Sequence, residues 1–325
     1  MTAYRPFELH THTRHSDGKF LTDELLRACA AYGYYGVALT DHNAVTAADE
    51  VTPALLRETG MMVLPGIEWT TFYGHLLVLG CNRFVDWRFV TPDTIDLALE
   101  EIRAAGGVAG IAHPAEVGAP LMCGCHWEFE VTRWDLVSYV EIWSDEDPHA
   151  RGKNVLALPW YDALLNEGHR LGISAGRDWH AADPDPSKPP LLTATYLGMK
   201  EDSVHSALDA LREGRSYVTL GPTLDVSIAG RSLGDTVPAG PVEVCIQAGC
   251  SEREEIWRRW EIQPETVRIV NNSAVLCELP FTDEHAAVSV PVDAQPGWLR
   301  VELIGSWKGC EKPDLIALTS PIYLE

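Results

Sequence analysis

The chain has 325 residues, room for one large domain or a large and a small one, and its 46% apolar content supports a sizeable core. No run approaches the ~18 apolar residues of a membrane span, and Met1–Glu8 lacks the basic and apolar regions of a signal peptide, so a cytoplasmic protein with no membrane partner is expected. The formal charge of −22 opposes binding to long nucleic acid, which needs a basic surface to release counterions.

The first strand candidate, Phe7–His12, ends on His10-Thr11-His12, and Asp17 follows five residues later. Leu25, Cys29 and Tyr32, at i, i+4 and i+7, mark an amphipathic helix. The strand Gly36–Asp41 ends beside His42, and Met62–Glu68 ends on Glu68 with His75 beyond it. Thr91-Pro92 suits the start of a helix carrying Ile95, Leu99 and Ile102. Three strands follow: Gly107–His113, Ser138–Ile142 with Glu141 on it, and Gly172–Asp178 with His180 just beyond. Ala194–Met199 reads as another strand, and Val204, Leu208 and Leu211 as a helix face. Strands alternating with helices predict an α/β fold with a parallel sheet.

After about residue 222 the texture changes. Leu224–Ile228, Val242–Ala248, Thr266–Asn271, Ala287–Val292 and Leu299–Ile304 read as short strands separated by turn residues, with one helix over Ser251–Trp260. This predicts a barrel-like domain over 1–222 and a small antiparallel β domain, a sandwich, over 223–325. The Pro-rich Asp183–Pro190 reads as a loop beside the strand end at His180. The eight cysteines form no CxxC pair and read as free thiols; Cys123-Gly-Cys125-His126 reads as a loop.

The chemistry-bearing residues gather at the strand ends: His10, His12, Asp17, His42, Glu68, His75, His113, Asp178 and His180. In a parallel barrel those ends share one face, so residues distant in sequence converge. Six imidazoles and three carboxylates suit two or three divalent ions with N and O donors, Mn, Fe and Zn about equally. Such a site activates water at neutral pH and polarises the bond attacked. Asp41 and Glu141 read as residues that orient ligands. Arg14 and Arg177, beside ligands, can hold an anionic substrate or neutralise ligand carboxylates. Trp69, Trp143 and Trp179 can wall a ring-bearing substrate or pack in the core. His15 reads as surface or substrate-facing, and His126, His149, His169, His205 and His285 as surface or core histidines. Trp257–Trp260, flanked by acidic residues, reads as an exposed helix rather than a nucleic-acid patch.

The segments HTHTRHSDG, ALTDHN, PGIEWTTFYGH, IAHP and SAGRDWH, in that order, resemble the PHP (polymerase and histidinol phosphatase) family over roughly residues 5–222. That resemblance implies a distorted seven-stranded (β/α) barrel and a two- or three-metal site. It assigns His10, His12, Glu68 and Asp178 to one ion. Glu68, bridging, with His75 and His113 would hold a second, and Asp17, His42 and His180 a third. The short Glu68–His75 interval departs from the pattern. LREGRSYVTLGPTLDVSIAGRSLGD is similar to the junction of the CehA/McbA-type branch, which includes a carbaryl esterase.

The expected function is hydrolysis by metal-activated hydroxide, with Glu68, Asp178 and His180 as catalytic residues and a small phosphorylated molecule as substrate. The alternatives are a carboxylester or carbamate hydrolase of the carbaryl-esterase type, and a binding module with a structural metal site.

Overall fold

The computed structural model describes residues 2–81, 83–118, 124–150, 152–185, 187–188, 190–249, 258–281 and 287–325. Seven strands make the barrel wall: β1 (Ala3–Glu8), β2 (Gly36–Leu39), β3 (Met62–Thr70), β4 (His75–Leu79), β5 (Val108–Ile111), β6 (Val137–Ser144) and β7 (Gly172–Gly176), paired in that order. All neighbours run parallel except at β4, which is antiparallel to both β3 and β5.

The barrel closes only at one rim. There Thr11 and Trp179 pair in parallel, with the His12 amide donating to the Trp179 carbonyl at 2.9 Å and the Trp179 amide to the His10 carbonyl at 3.0 Å. At the other end β1 instead pairs antiparallel with β8 (Ala194–Met199), leaving a cleft beside β7. Side chains fill the hydrogen-bonding deficit: the Ala175 amide donates to Thr195 Oγ1 at 2.7 Å and the Ile173 amide to Ser320 Oγ at 3.0 Å. Without them these buried amides would lack acceptors.

This corrects one expectation. Ala194–Met199 is a strand, but it lies outside the ring and runs against β1. The fourth barrel strand is β4, whose five residues are all buried, so it offers no alternation to read.

The three helices expected within residues 1–222 are present. α1 (Thr22–Ala31) buries Leu25 and Cys29, and a short α2 covers Pro53–Thr59. Thr91-Pro92 opens a single 3-10 turn that runs into α3 (Ile95–Ala104), which buries Ile95, Leu99 and Ile102. α4 spans Gly152–Asn166, and α5 (Val204–Arg212) buries Leu208 and Leu211. Each fully buried leucine contributes roughly 2 kcal/mol. No described helix is long and apolar enough to cross a membrane.

Beyond β9 (Ser216–Thr219) the chain is β-rich. β10 (Thr223–Ile228) pairs with β12 (Gly240–Gly249), and β12 with β15 (Ala287–Ala294), all antiparallel. A second sheet holds the two-residue β11 (Thr236–Val237), β13 (Gln263–Asn271), β14 (Ala274–Pro280), β16 (Gly297–Ser306), β17 (Asp314–Thr319) and β18 (Ile322–Leu324). Leu224, Val226 and Ile246 of the first sheet share one core with Val267, Ile269 and Leu303 of the second. The second sheet is continuous with the barrel flank, because β17 pairs antiparallel with β9.

The helix expected over Ser251–Trp260 lies mostly outside the described residues, as do Cys123, Cys250 and His285. Cys29, Cys81, Cys245, Cys277 and Cys310 carry free thiols.

Candidate metal centre

The nine residues singled out in the sequence converge at the rim where β1 and β7 meet. Because β4 is reversed, its first residue, His75, lies at the same rim as the C-terminal ends of the parallel strands. The β3–β4 register pairs Thr70 with His75, so Glu68, Thr70 and His75 face one way. This hairpin resolves the short Glu68–His75 interval.

Glu68 is fully buried at the centre. Its Oε1 lies 2.7 Å from His75 Nδ1 and 3.1 Å from His113 Nε2. Its Oε2 lies 3.2 Å from Nε2 of both His10 and His12, and 3.0 Å from His42 Nδ1. The two oxygens thus face different sets of imidazoles, the disposition of a bridging carboxylate. Asp178 Oδ1 stands 3.3 Å from His10 Nε2 and 3.0 Å from His12 Nε2. Outside this layer, Asp17 Oδ1 is 3.2 Å from His180 Nε2, 3.7 Å from His42 Nε2 and 3.8 Å from His12 Nδ1.

Among the described residues, His10, His12, Glu68 and Asp178 bring four donor atoms within 4.8 Å of one another, as do His12, Asp17, His42 and His180. Smaller groups are His42, Glu68 and His75, and His10, His113 and Glu141. His75 and His113 both meet Glu68 Oε1 but do not form one such group with it. The donor set fits divalent cations. His10 Nε2, both ring nitrogens of His12, Glu68 Oε2, His75 Nε2, His113 Nδ1 and Asp178 Oδ1 are buried and make no hydrogen bond. Buried polar atoms are rarely left so, and a cluster of them calls for an ion.

The electrostatics agree. Burial alone would lower His10 and His12, but Glu141, Asp178 and Glu68 outweigh it. They hold His10 well above its usual value, and Asp178 and Glu68 bring His12 up to about 9. Burial alone would raise Glu68 and Asp178, yet the surrounding imidazoles pull both well below the carboxylate range. For His75 burial prevails and lowers its pKa. The pocket is arranged around positive charge.

Supporting residues fix this geometry. Glu141 lies 3.0 Å (Oε1) and 3.3 Å (Oε2) from His10 Nδ1, and its Oε2 accepts from the His113 amide at 3.0 Å. Asp41 accepts from the Thr13 amide, Thr13 Oγ1 and Ser16 Oγ at 2.7–2.8 Å, which shapes the loop bearing Asp17. His113 and Asp178 adopt φ of 23° and 51°, in the left-handed region that non-glycine residues avoid. Such strain costs ~1–3 kcal/mol per residue and collects at functional sites. Two supports were not legible in the sequence. Thr70 Oγ1 lies 2.7 Å from His42 Nδ1, and buried Glu8 accepts from the amides of His10 and Arg177. Glu8 precedes the first motif, and Thr70, although inside PGIEWTTFYGH, carries no side chain of metal-ligand type to single it out.

Other candidates go elsewhere. Arg177 is 5% exposed, clamped to Asp183 and Glu146, with its guanidinium 4.3 Å over the Trp179 ring. Its charge is compensated by these two carboxylates. Arg14 is exposed, and only its Nε is engaged, with the Lys19 carbonyl. Trp69, Trp143 and Trp179 are buried in the core. His15 turns toward Thr46 and Glu50. His149 and His169 stack on Trp307 and Trp134, and His126 and His205 are exposed.

Comparison with known proteins follows the same line. The PHP domain family model matches residues 8–91, the stretch carrying His10, His12, Asp17, His42, Glu68 and His75. No curated protein matches the sequence. A solved structure from Bacteroides vulgatus, a two-domain protein containing a predicted PHP-like metal-dependent phosphoesterase, aligns over 99% of this chain and 96% of its own. It does so at 15% identity and a TM-score of 0.53, a likeness of fold. An amidohydrolase from Chromobacterium violaceum aligns over 55% of this chain and 89% of its own, at 18% identity and a TM-score of 0.39. The residues matched to the PHP domain family model thus carry motifs that lie together at one rim of a seven-stranded barrel.

Proposed function

We propose that the protein is a metal-dependent hydrolase acting on a small phosphorylated molecule. The observation that carries this reading is the cluster of buried donor atoms without hydrogen bonds on the residues around Glu68. His10, His12, Glu68 and Asp178 would hold one ion and Asp17, His42 and His180 another, with His75 and His113 on the far oxygen of Glu68 for a third. Mn, Zn or Fe in these positions would supply Lewis-acid polarisation of the scissile bond and activation of water.

The chain's own residues set the stage for that chemistry. Glu141 keeps the His10 Nδ1 proton on the outer side, so that Nε2 presents its lone pair inward. His180 is 35% exposed at the side chain, and its Nδ1 donates to the Asp178 carbonyl at 2.7 Å. Its Nε2 therefore stands at the solvent rim beside Asp17, where a leaving group can depart. Arg14, exposed on the loop before Asp17, offers a guanidinium to anionic oxygens. A phosphoester is favoured over a neutral aryl ester because the three tryptophans that would wall a ring are committed to the core.

The test is reconstitution with Mn, Fe or Zn and comparison of an aryl phosphate with the matching aryl ester, beside His10→Ala. Metal-dependent preference for the phosphate supports the proposal. Preference for the ester moves the assignment to the carbaryl-esterase type. Activity unchanged in His10→Ala, or no hydrolysis of either compound with any metal, leaves the structural-metal binding module.

A further inference from the structure

At the opposite end of the barrel from the metal centre lies a cavity of about 300 Å³. It opens between the starts of β6 and β7, the turn from α5 into β9, and the segment before β11. Arg170, Arg212 and Arg215 all line it, against Glu213 and Asp235, so its wall is net positive in a chain of net charge −22.

Arg215 is the informative residue. It is 4% exposed. Its Nε donates to the Gly198 carbonyl at 3.0 Å and its Nη1 is ion-paired with the Glu213 carboxylate, which leaves Nη2 as the buried donor without a partner. Glu213 is more than half exposed and shares the same oxygen with Lys200 at 3.3 Å, so it neutralises Arg215 incompletely. Burial lowers the pKa of Arg215 from the usual arginine value. A guanidinium this buried ordinarily has its donors satisfied.

Arg170, exposed at the mouth, lies 4.0 Å over the Tyr323 ring and directs Nη2 to the Gly234 carbonyl and Thr236 Oγ1, both neutral. Arg212 is pinned to Asp209 and the Gly106 carbonyl and adds only field. The close wall is a property of the sequence. Gly234 has φ +80°, and a Cβ there would stand 1.7 Å from the Glu213 carbonyl oxygen, so only glycine lets this segment lie against the end of α5.

We propose that this cavity is a binding site for a phosphate-sized oxyanion, free or as the phosphoryl group of a small metabolite, taken by Nη2 of Arg215 and, in place of the exposed Glu213 carboxylate, by Nη1, with Arg170 closing over it. A planar guanidinium matches two oxygens of such an anion. The site is separate from the metal centre and does not rest on the function proposed for it.

The experiment is calorimetric titration of full-length His10→Ala, stripped of metal, with inorganic phosphate, so that binding at the metal centre does not contribute. The expected result is saturable binding, weakened at least tenfold by adding Arg215→Gln and severalfold by adding the exposed Arg170→Gln. If Arg215→Gln does not fold, Arg215→Lys, which keeps the charge and loses the paired donors, is expected to weaken binding as strongly. A phenyl phosphomonoester binding as tightly as phosphate identifies the phosphoryl group as the recognised part, and weaker binding identifies the free ion. Absence of saturable phosphate binding, or binding unchanged by the Arg215 and Arg170 substitutions, overturns the proposal and leaves Arg215 a packing residue.

Discussion

Glu141 is the position where the metal-centre geometry makes its sharpest demand. Its two oxygens serve two donors at once, the His10 Nδ1 proton and the His113 amide. Replacement by glutamine keeps the shape but supplies one oxygen and one NH₂. With the oxygen toward His113, the NH₂ faces His10 Nδ1 and forces that nitrogen to accept. The ring proton then moves to Nε2, on the side where a lone pair is needed. With the oxygen toward His10, the NH₂ opposes the buried His113 amide, an unsatisfied donor costing ~1–3 kcal/mol. Either way Glu141→Gln is expected to weaken metal affinity ten- to a hundredfold, about 1.4–2.7 kcal/mol. It is also expected to lower the melting temperature of the metal-free protein. Competition for Zn or Mn against a chromogenic chelator reads the first effect, and thermal unfolding the second. Affinity within threefold of the parent and an unchanged melting temperature would refute the idea that Glu141 orients His10.

Three further expectations rest on separate contacts. In Gly176→Ala the new Cβ would meet His10 Cβ at 2.4 Å and Glu141 Oε1 at 2.6 Å, so urea unfolding should show a loss of ~1–3 kcal/mol; a loss under 0.5 would contradict the packing. Arg177→Gln breaks the clamp to Asp183 and Glu146 and should cost about 3 kcal/mol in stability with KM unchanged, whereas Arg14→Gln should raise KM without changing the melting temperature; the reverse pattern would return Arg177 to the substrate. Because His12 is raised from 6.5 to about 9 without an ion, its stabilisation of the metal-free protein is complete below pH 6.5 and lost as pH climbs through 9. The melting temperature of chelated protein should therefore fall across that window, and metal-loaded protein should escape the fall; parallel pH profiles would count against proton–metal competition at His12.

The residues that converge at this rim were readable because strand ends and short polar motifs coincide in the sequence: His10-Thr11-His12, Glu68 and Asp178 each lie at or just beyond the end of a strand-like segment. β4 was not, since HLLVL has neither alternation nor a flanking helix, and its reversal follows only from the Thr70–His75 pairing. α4 escaped periodicity for another reason. It carries Pro159, and exposed Val155 and Leu156 blur the stripe formed by Ala157, Tyr161, Leu164 and Leu165. The role of Arg177 was beyond sequence reasoning. Its partners Glu146 and Asp183 come from different loops, and nothing local distinguishes an arginine bound to carboxylates from one awaiting a substrate.

The pairing of β9 with β17 has a practical consequence for anyone wishing to divide the chain. Cutting after residue 222 would strip the partner from Tyr217, Val218 and Thr219, which now face Thr319, Leu318 and Ala317. It would also remove Ser320, whose hydroxyl serves the Ile173 amide inside the barrel cleft. The released fragment would present a buried, apolar strand edge to solvent, the feature through which sheets add foreign strands and aggregate. A soluble truncation would need a redesigned edge, with a charge or a proline where Val218 now sits.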